Sequence, residues 1–556
     1  RPPRHLRRRH AAVEHLSGGA PVLVERRRPP EHLSFGPHSL EFGDGAPTDL
    51  LGLVLSEVAQ DAQEHVAHQL VLGREVRLGV GPEPDAERLE LLEQARASES
   101  CRELLESYGK TVALLGDLGD SGPGRFDEVV GPDGSLRPAW KGLAELAVSL
   151  TPADMYRVDS DIARLLADDG VTYARPGDRQ GAWRLDPVPL VIDAPTWTPL
   201  EKGLAQRAEL FNALLVDLYG EQRLLAEGVV PPAVVLGHAG FTRAVARRSL
   251  GGEPIDPRPL VFSAADLARD AAGEWRVIGD RAQAPSGLGY AMENRRVISR
   301  VVPELYRQAG LHRMEPYFWA LRSALIQSAN GDLADPRVVV LSPGTHSETA
   351  YDQAFVASTL GFPLVQGSDL LVRDGWVYLR QGHGRMERVD VILRRVDAAW
   401  SDPLELRGES QLGVAGLVEA GVLETPGLAP SPPAACETLL GEPLLLAGLT
   451  THWCGDPDGL ATVLGSLENP ARPLHVRPID GPSTELERLP TTRVVERILD
   501  EPHRYVGQER LPFSQVPTWR SGAARPRPVT LRTFTLRYGG SYRPLVGGLA
   551  NVYDDG

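Results

Sequence analysis

Between residues 230 and 412 short apolar runs alternate with helical periods, which limits the chain to folds in which helices pack on a sheet. The stretch DPRVVVLSPGTHSETAYDQAFVASTLGFPLVQGSD, residues 335–369, reads as buried strand, turn, helix and strand. LLVRDGWVYLR at 370–380 reads as a hairpin across Asp374-Gly375, because Asp-Gly suits the positive φ angles of a two-residue turn. RVDVILRRVD at 388–397 is a further buried strand ending in charge. The class is therefore α/β or α+β.

The alternation does not fill the chain. A single hydrophobic core stops growing near about 250–300 residues, so 556 residues imply more than one. RPPRHLRRRH and ERRRPPEH make the first thirty residues basic and proline-broken, a solvated surface segment or an arm for an acidic partner. Helical periods follow at 49–70 and 84–108, and GDLGDSGPGRF at 116–126 reads as a linker. From 137 to 228 the period is helical; TPADMYRVDSDIARLLADDG opens on Thr-Pro and closes on Gly. After 421, Pro-rich connections separate a helix at 456–470, the strand LHVRPID, a helix around 490–501, the strand RYVGQE, and a hairpin about Gly539-Gly540. Three regions result: an N-terminal, partly helical extension at 1–125, a helical and α/β region at 126–415, and a C-terminal region at 416–556.

Apolar and charged fractions of 42% and 24% are ordinary for a folded soluble chain. No run of about 18 apolar residues and no apolar N-terminal stretch is present, so a cytoplasmic protein with no membrane partner is expected. Cys101, Cys436 and Cys454 are odd in number and lack metal-ligand spacing, against a disulfide framework or zinc site. A net charge of −15 argues against a nucleic-acid partner and for a small substrate. Lysine occurs only at Lys110, Lys141 and Lys202, so phosphate contacts in the C-terminal half fall to arginine, backbone N–H or metal.

RVIGDRAQAPSGLGYAMENRRVISR at 276–300 concentrates the chemistry. Asp280, Glu293 and Asn294 offer the hard oxygen ligands that magnesium takes. Arg281, Arg295 and Arg296 can neutralise phosphoryl oxygens, and Ser286, Gly287 and Gly289 let the backbone approach a phosphate. On residue types alone an equal reading stands beside this one: Asp280 closes a strand and Glu293 starts an arginine-rich helix of ion pairs. Two other stretches compete. SPGTHSET offers an anion-holding turn or simply a helix cap, and THWCGD offers a thiol or simply a packed Trp-Cys pair.

From about 126 to its end the chain resembles the circularly permuted ATP-grasp proteins of type 2, the glutathionylspermidine-synthetase-like group. The resemblance rests on VIGDRAQAPSGLGYAMENRRVISR, VVVLSPGTHSETAYDQAFVASTLGFPLVQGSDLLVRDGWVYLR, VDVILRRVDAAWSDPLELR, VLETPGL, HWCGDP, RYVGQE and RPVTLRTF, in that order. The clamp-like LHVRPID, hinge-like RYVGQE and strand VTLRTF come last while the Asp…Glu-Asn segment comes first, as a permutation requires.

The resemblance implies a circularly permuted ATP-grasp fold with an additional N-terminal helical region. It implies ATP as co-substrate and Mg2+ bound by Asp280, Glu293 and Asn294, with Arg281 and Arg295 near the transferred phosphoryl group. Gln508 and Glu509 would form the hinge at adenine and ribose, with Arg477, Arg532, Ser286 and Gly287 at the phosphates. His346, Ser368, Asp369, Arg394 and Arg395 are candidates for substrate recognition. The implied reaction is amide or peptide bond formation from small carboxylate and amine or peptide substrates through an acyl phosphate, with a helical partner protein as a further implied partner. Two alternatives stand beside it: a catalytically silent ATP-grasp scaffold that binds nucleotide or a partner protein, and an enzyme acting on a polyamine.

Overall fold

The computed structural model describes His68–Leu70, Tyr108 and most of residues 125–553; segments 133–134, 142, 144–150, 174–180, 239, 242–256, 304–311, 330–332, 398–399, 405–407, 415–425, 470–473, 480–482 and 521–522 are not described. All described residues belong to the compact unit Asp61–Gly556. The basic first thirty residues, the linker before Arg125 and, Tyr108 apart, the 84–108 period lie outside them. His68–Leu70, expected to end a helix, is a short strand paired antiparallel with Val191–Asp193. Three residues carry too little period to decide, and the pairing gives both backbones their hydrogen bonds.

The helical expectation for 137–228 holds at both ends and fails between them. Helix α1 (Pro152–Asp168) opens on Thr151, whose side chain accepts from the Asp154 amide while the Asp154 carboxylate accepts from the Thr151 amide at 2.9 Å. That reciprocal cap, with proline at the first position, is what Thr-Pro-Ala-Asp encodes. Thr172–Tyr173 and Gly181–Ala182 then form a two-stranded ribbon, because β-branched and aromatic residues favour extended backbone. Helix α2 (Ala194–Tyr219) starts on Asp193, which accepts from the Thr196 amide, and buries Trp197, Leu200, Leu204, Leu210 and Leu214.

Strands β1 (Phe262–Arg269) and β2 (Trp275–Arg281) form an antiparallel hairpin, followed by α3 (Leu288–Val301) and α4 (Glu315–Gln327). Next, β3 (Val338–Leu341), α5 (Ala350–Leu360), β4 (Leu364–Val365) and β5 (Val391–Arg394) make a parallel sheet in the order β5–β3–β4. All four residues of β3 are buried, as a continuous apolar run in a parallel sheet should be. Leu370–Arg373 and Trp376–Arg380 turn on Asp374 at φ +51° and Gly375 at φ +77°, as Asp-Gly requires.

A further sheet contains β6 (Thr451–Trp453), β7 (His475–Pro478) and β8 (Tyr505–Gln508) in the order β6–β8–β7, accompanied by α6 (Pro457–Glu468) and α7 (Thr491–Asp500). A Cβ on Gly507 would come 2.4 Å from Val463 of α6, so β8 needs glycine there to lie under the helix. Last come β9 (Gln515–Arg520), β10 (Ala523–Tyr538), β11 (Ser541–Pro544) and β12 (Leu549–Val552). Strand β10 inserts between β9 and β1, giving a central antiparallel sheet β9–β10–β1–β2, and also pairs with β11 and β12. Its Leu531 and Phe534 are fully buried, and Phe534 stacks on Phe262 at 6.0 Å. Each such side chain contributes roughly 1.5–3 kcal/mol of burial.

Helix α2 lies against one face of the central sheet, where Leu204, Ala208 and Phe211 approach Ser263, Ala265 and Thr535. The opposite face carries α3 and α4. The Gly287 cap of α3 sits on Phe534 and Leu549, and Arg537 of β10 donates to Ser328 at the end of α4. Among the described residues no helix is long and apolar enough to cross a membrane.

Candidate functional site

Strand alternation decides which residues of GDR meet. Asp280 lies opposite Ala265 and turns toward α2, where Arg207 binds it bidentately at 2.7 and 2.6 Å. Arg207 is buried and also donates to the Leu446 carbonyl at 3.2 Å. Arg281, the next residue, turns to the other face, where its Nε donates to Asp266 at 3.3 Å. Asp266 also receives Arg532 at 2.6 and 3.0 Å, and Arg532 reaches on to the Ser286 carbonyl at 3.1 Å. Gly287 closes this turn at φ +112°; a Cβ would meet Leu549 at 3.0 Å and Phe534 at 3.4 Å, so only glycine seats the turn on the sheet.

The β6–β8–β7 sheet supplies a third guanidinium. Arg477 of β7 donates to Gln508 at 3.2 Å, and Gln508 donates to Thr451 at 3.2 Å, which ties β7, β8 and β6 together. Burial first, and the like charge of Arg281 second, hold Arg477 below the usual guanidinium range. Burial also pulls Arg532 down, but its bonds and charge pairing with Asp266 outweigh that and leave it raised. Arg281 and Arg532 thus share a single carboxylate, Asp266, while Arg477 bonds Gln508 and feels the like charge of Arg281. Such an excess of fixed positive charge in a partly buried cleft is complementary to a polyanion.

Glu509, the second expected hinge residue, accepts from Arg276 at 3.0 Å and from the Thr450 amide at 2.7 Å. Together with Val277 donating to Ala447 at 3.0 Å and Leu449 donating to Val277 at 3.1 Å, it seats the β6–β8–β7 sheet on the edge of the central sheet.

Glu293 and Asn294 lie elsewhere, on α3. Glu293 is fully buried and accepts from Arg296 with both oxygens, at 2.9 and 2.8 Å. Arg296 also pairs with Asp169 at 2.8 Å, and its bond to Glu293 first, against the opposing effect of burial and with the help of the neighbouring negative charges, raises it above the usual range. Burial first, then the charge of Glu293 and a hydrogen bond to it, pushes the Tyr351 hydroxyl up. Asn294 accepts from the indole of Trp183 at 2.8 Å, and Trp183 stacks on Tyr290 at 4.1 Å. Arg295 is buried and donates to the His312 carbonyl at 3.0 Å.

The structure therefore does not bring Asp280, Glu293 and Asn294 together. The central sheet separates Asp280 from the other two, and every oxygen they would offer already accepts from a protein donor. As arranged here, the three do not fit one magnesium site. Among the described residues no group of three or more His, Cys, Asp or Glu side chains is placed to hold a metal ion.

Of the expected substrate residues, His346 is exposed in the β3–α5 turn and Ser368 is exposed near it in sequence. Asp369 caps its own turn by accepting from the Gln366 amide at 2.8 Å. Arg394 is buried and donates to the Val396 carbonyl, while Arg395 reaches the Pro285 carbonyl at 2.6 Å. Sequence reasoning missed Arg207, Asp266 and Asp352. Each carried a signal: an arginine inside an apolar helix, a lone carboxylate in the otherwise apolar FSAADLA, and an acid in the first turn of α5.

The family model for circularly permuted ATP-grasp type 2 matches residues 189–553. An uncharacterized protein of Mycobacterium tuberculosis is 42% identical over 483 residues, covering 82% of this chain and 54% of the relative. A second uncharacterized M. tuberculosis protein is 35% identical, with coverage of 77% and 80%. One from Synechocystis is 33% identical, with 77% and 93%. The chain spans about half the length of the first of these relatives. Among solved structures, a glutathione synthetase-like effector of Globodera pallida, in its apo form, aligns with a TM-score of 0.46 and 13% identity over 73% of this chain and 96% of that one.

Proposed function

Because the chain belongs to the circularly permuted ATP-grasp type 2 family, we propose that it is an ATP-dependent carboxylate–amine ligase that forms an amide or peptide bond. A substrate carboxylate oxygen attacks the γ-phosphorus of ATP, the bond to the ADP oxygen breaks, and an acyl phosphate forms. The amine nitrogen then adds to the acyl carbon, loses its proton, and phosphate leaves as the tetrahedral intermediate collapses.

The observation that carries this reading is that Arg281 and Arg532 share one carboxylate, Asp266, with the guanidinium of Arg477 from a second sheet beside Arg281. In this role Arg281 and Arg477, contributed by two different sheets, bind the phosphates from both sides, and Arg532 holds Ser286 and Gly287 toward them. Charge stabilisation and alignment supply the catalysis, with no protein nucleophile. Gln508 and Glu509 keep the hinge in place beside the base. The exposed β3–α5 turn with His346, and the nearby Ser368 and Asp369, face the acid or amine. Magnesium accompanies ATP in the chemistry the family resemblance implies. The proposed partners are small acid and amine or peptide substrates and a helical protein, in the cytoplasm.

A second reading, a silent scaffold that binds nucleotide without turnover, is favoured by one observation: the carboxylates expected at the metal are each bonded to arginine. Calorimetric titration of ATP, with and without magnesium, into the intact protein and an Arg281→Ala, Arg477→Ala variant tests the first reading. It fails if the intact protein binds no nucleotide or the variant binds equally well. ADP release with panels of acids and amines then separates ligase from scaffold, since the scaffold binds ATP and releases no ADP with any pair.

A further inference from the structure

Two buried residues outside the arginine cleft act on its Pro285–Ser286–Gly287 turn. Arg395, just past β5 and almost fully buried, donates from one guanidinium nitrogen to the Pro285 carbonyl at 2.6 Å and toward Asp352 at 3.4 Å. Asp352, in the first turn of α5 and fully buried, accepts from the Gly289 amide at 2.7 Å. A Cβ on Gly289 would come 2.9 Å from that carboxylate, so glycine at 289 is what lets α3 approach it. The Ser286 carbonyl is taken from the other side by Arg532. The turn is thus gripped by two guanidiniums from two different sheets, through charge-assisted bonds stronger than ordinary amide pairing. Pro285, Gly287 and Leu288 are buried; Ser286 alone of the four is left partly open.

The neighbour of Asp352 extends the connection. Gln353 accepts from Ser342 at 2.5 Å and donates to Ser347 at 3.0 Å and Thr349 at 3.1 Å, which shapes the β3–α5 turn that carries His346. Adjacent residues of α5 therefore hold the start of α3, just after the Pro-Ser-Gly turn, with one side chain and the His346 turn with the other.

We propose that Asp352 and Arg395 are positioning residues that fix Ser286 and Gly287 for phosphate contact and couple that turn to the β3–α5 turn. This rests on the reading of the arginine cleft as the nucleotide-phosphate site. Neither residue touches the phosphates; both act through the turn.

The test titrates ATP, inorganic tripolyphosphate and adenosine separately into intact protein, Asp352→Asn and Arg395→Lys. The lysine variant keeps the charge but not the reach to the Pro285 carbonyl, so it retains the fold if the asparagine variant does not. Affinity for ATP and tripolyphosphate is expected to fall by about 10- to 100-fold, while adenosine affinity stays unchanged, a split that general destabilisation would not produce. If variants that melt cooperatively bind tripolyphosphate as tightly as intact protein, the positioning role is overturned and the nucleotide reading survives. If intact protein binds neither ATP nor tripolyphosphate, the nucleotide reading falls and this proposal with it.

Discussion

The cluster on α3 and the cleft above β2 are built from the same residue types and balanced in opposite ways. Around Glu293 each charge has its counter-charge: Arg296 bonds Glu293 and Asp169, and Arg300 lies 3.8 Å from Asp169. Around Asp266 two guanidiniums share one carboxylate, and a third, Arg477, is depressed by burial and by the like charge of Arg281. A set neutralised within the protein has been assembled by folding. A set left with excess charge costs stability until an anion arrives, and this asymmetry separates architecture from a ligand site better than residue type does.

The comparison is broken most severely at Asp280, which belongs with the neutralised sets despite its place beside Arg281. Asp280→Ala leaves Arg207 buried without its counter-charge and should cost about 3–5 kcal/mol, measured by urea unfolding without nucleotide or magnesium. A loss seen only when magnesium and ATP are present would instead make Asp280 a ligand. The Arg281→Ala, Arg477→Ala variant should weaken ATP binding by about 100-fold and change urea stability by no more than about 1 kcal/mol, the lost bonds to Gln508 and Asp266 being offset by relief of the like-charge contact. A larger loss of stability would place these arginines with the structural pairs. Glu293→Gln should destabilise by about 1–3 kcal/mol, with ATP affinity changed by less than about twofold. A large loss of affinity at full stability would return Glu293 to the site.

Much of this was legible in the sequence. Asp374-Gly375, the Thr151 cap, the apolar run 338–341 and the Gly539-Gly540 turn are local statements, and each produced the element it spells. Ser286, Gly287 and Arg532 do meet, and Arg281 shares Asp266 with Arg532. What could not be read was partnership across distance. Asp280 and Arg281 are neighbours in the chain and opposites across a strand, and Arg207 and Asp266 are remote in sequence from the segment that attracted attention. Glu293 and Asn294 looked like a ligand pair because they are adjacent, yet successive helical side chains point about 100° apart and these find Arg296 and Trp183.

The smallest expected effect sharpens the comparison through a proton. His475 of β7 is partly buried, and burial first, then the charges of Arg477 and Arg510, lower its pKa from 6.5, against the weaker pull of Glu487 at 3.7 Å. The folded protein therefore disfavours the imidazolium. Its contribution to stability is complete above the unfolded value of about 6.5 and is lost as pH falls through the lower folded pKa. His475→Gln should flatten that dependence in urea unfolding between pH 7 and pH 5. Nucleotide binding should run the other way. A bound polyanion relieves the repulsion among His475, Arg477 and Arg510, raises the pKa of His475, and so takes up protons, making ATP affinity increase slightly as pH falls over the same range. If stability and affinity moved together with pH, the cleft would not carry an unneutralised positive charge, and the distinction between it and the α3 cluster would be lost.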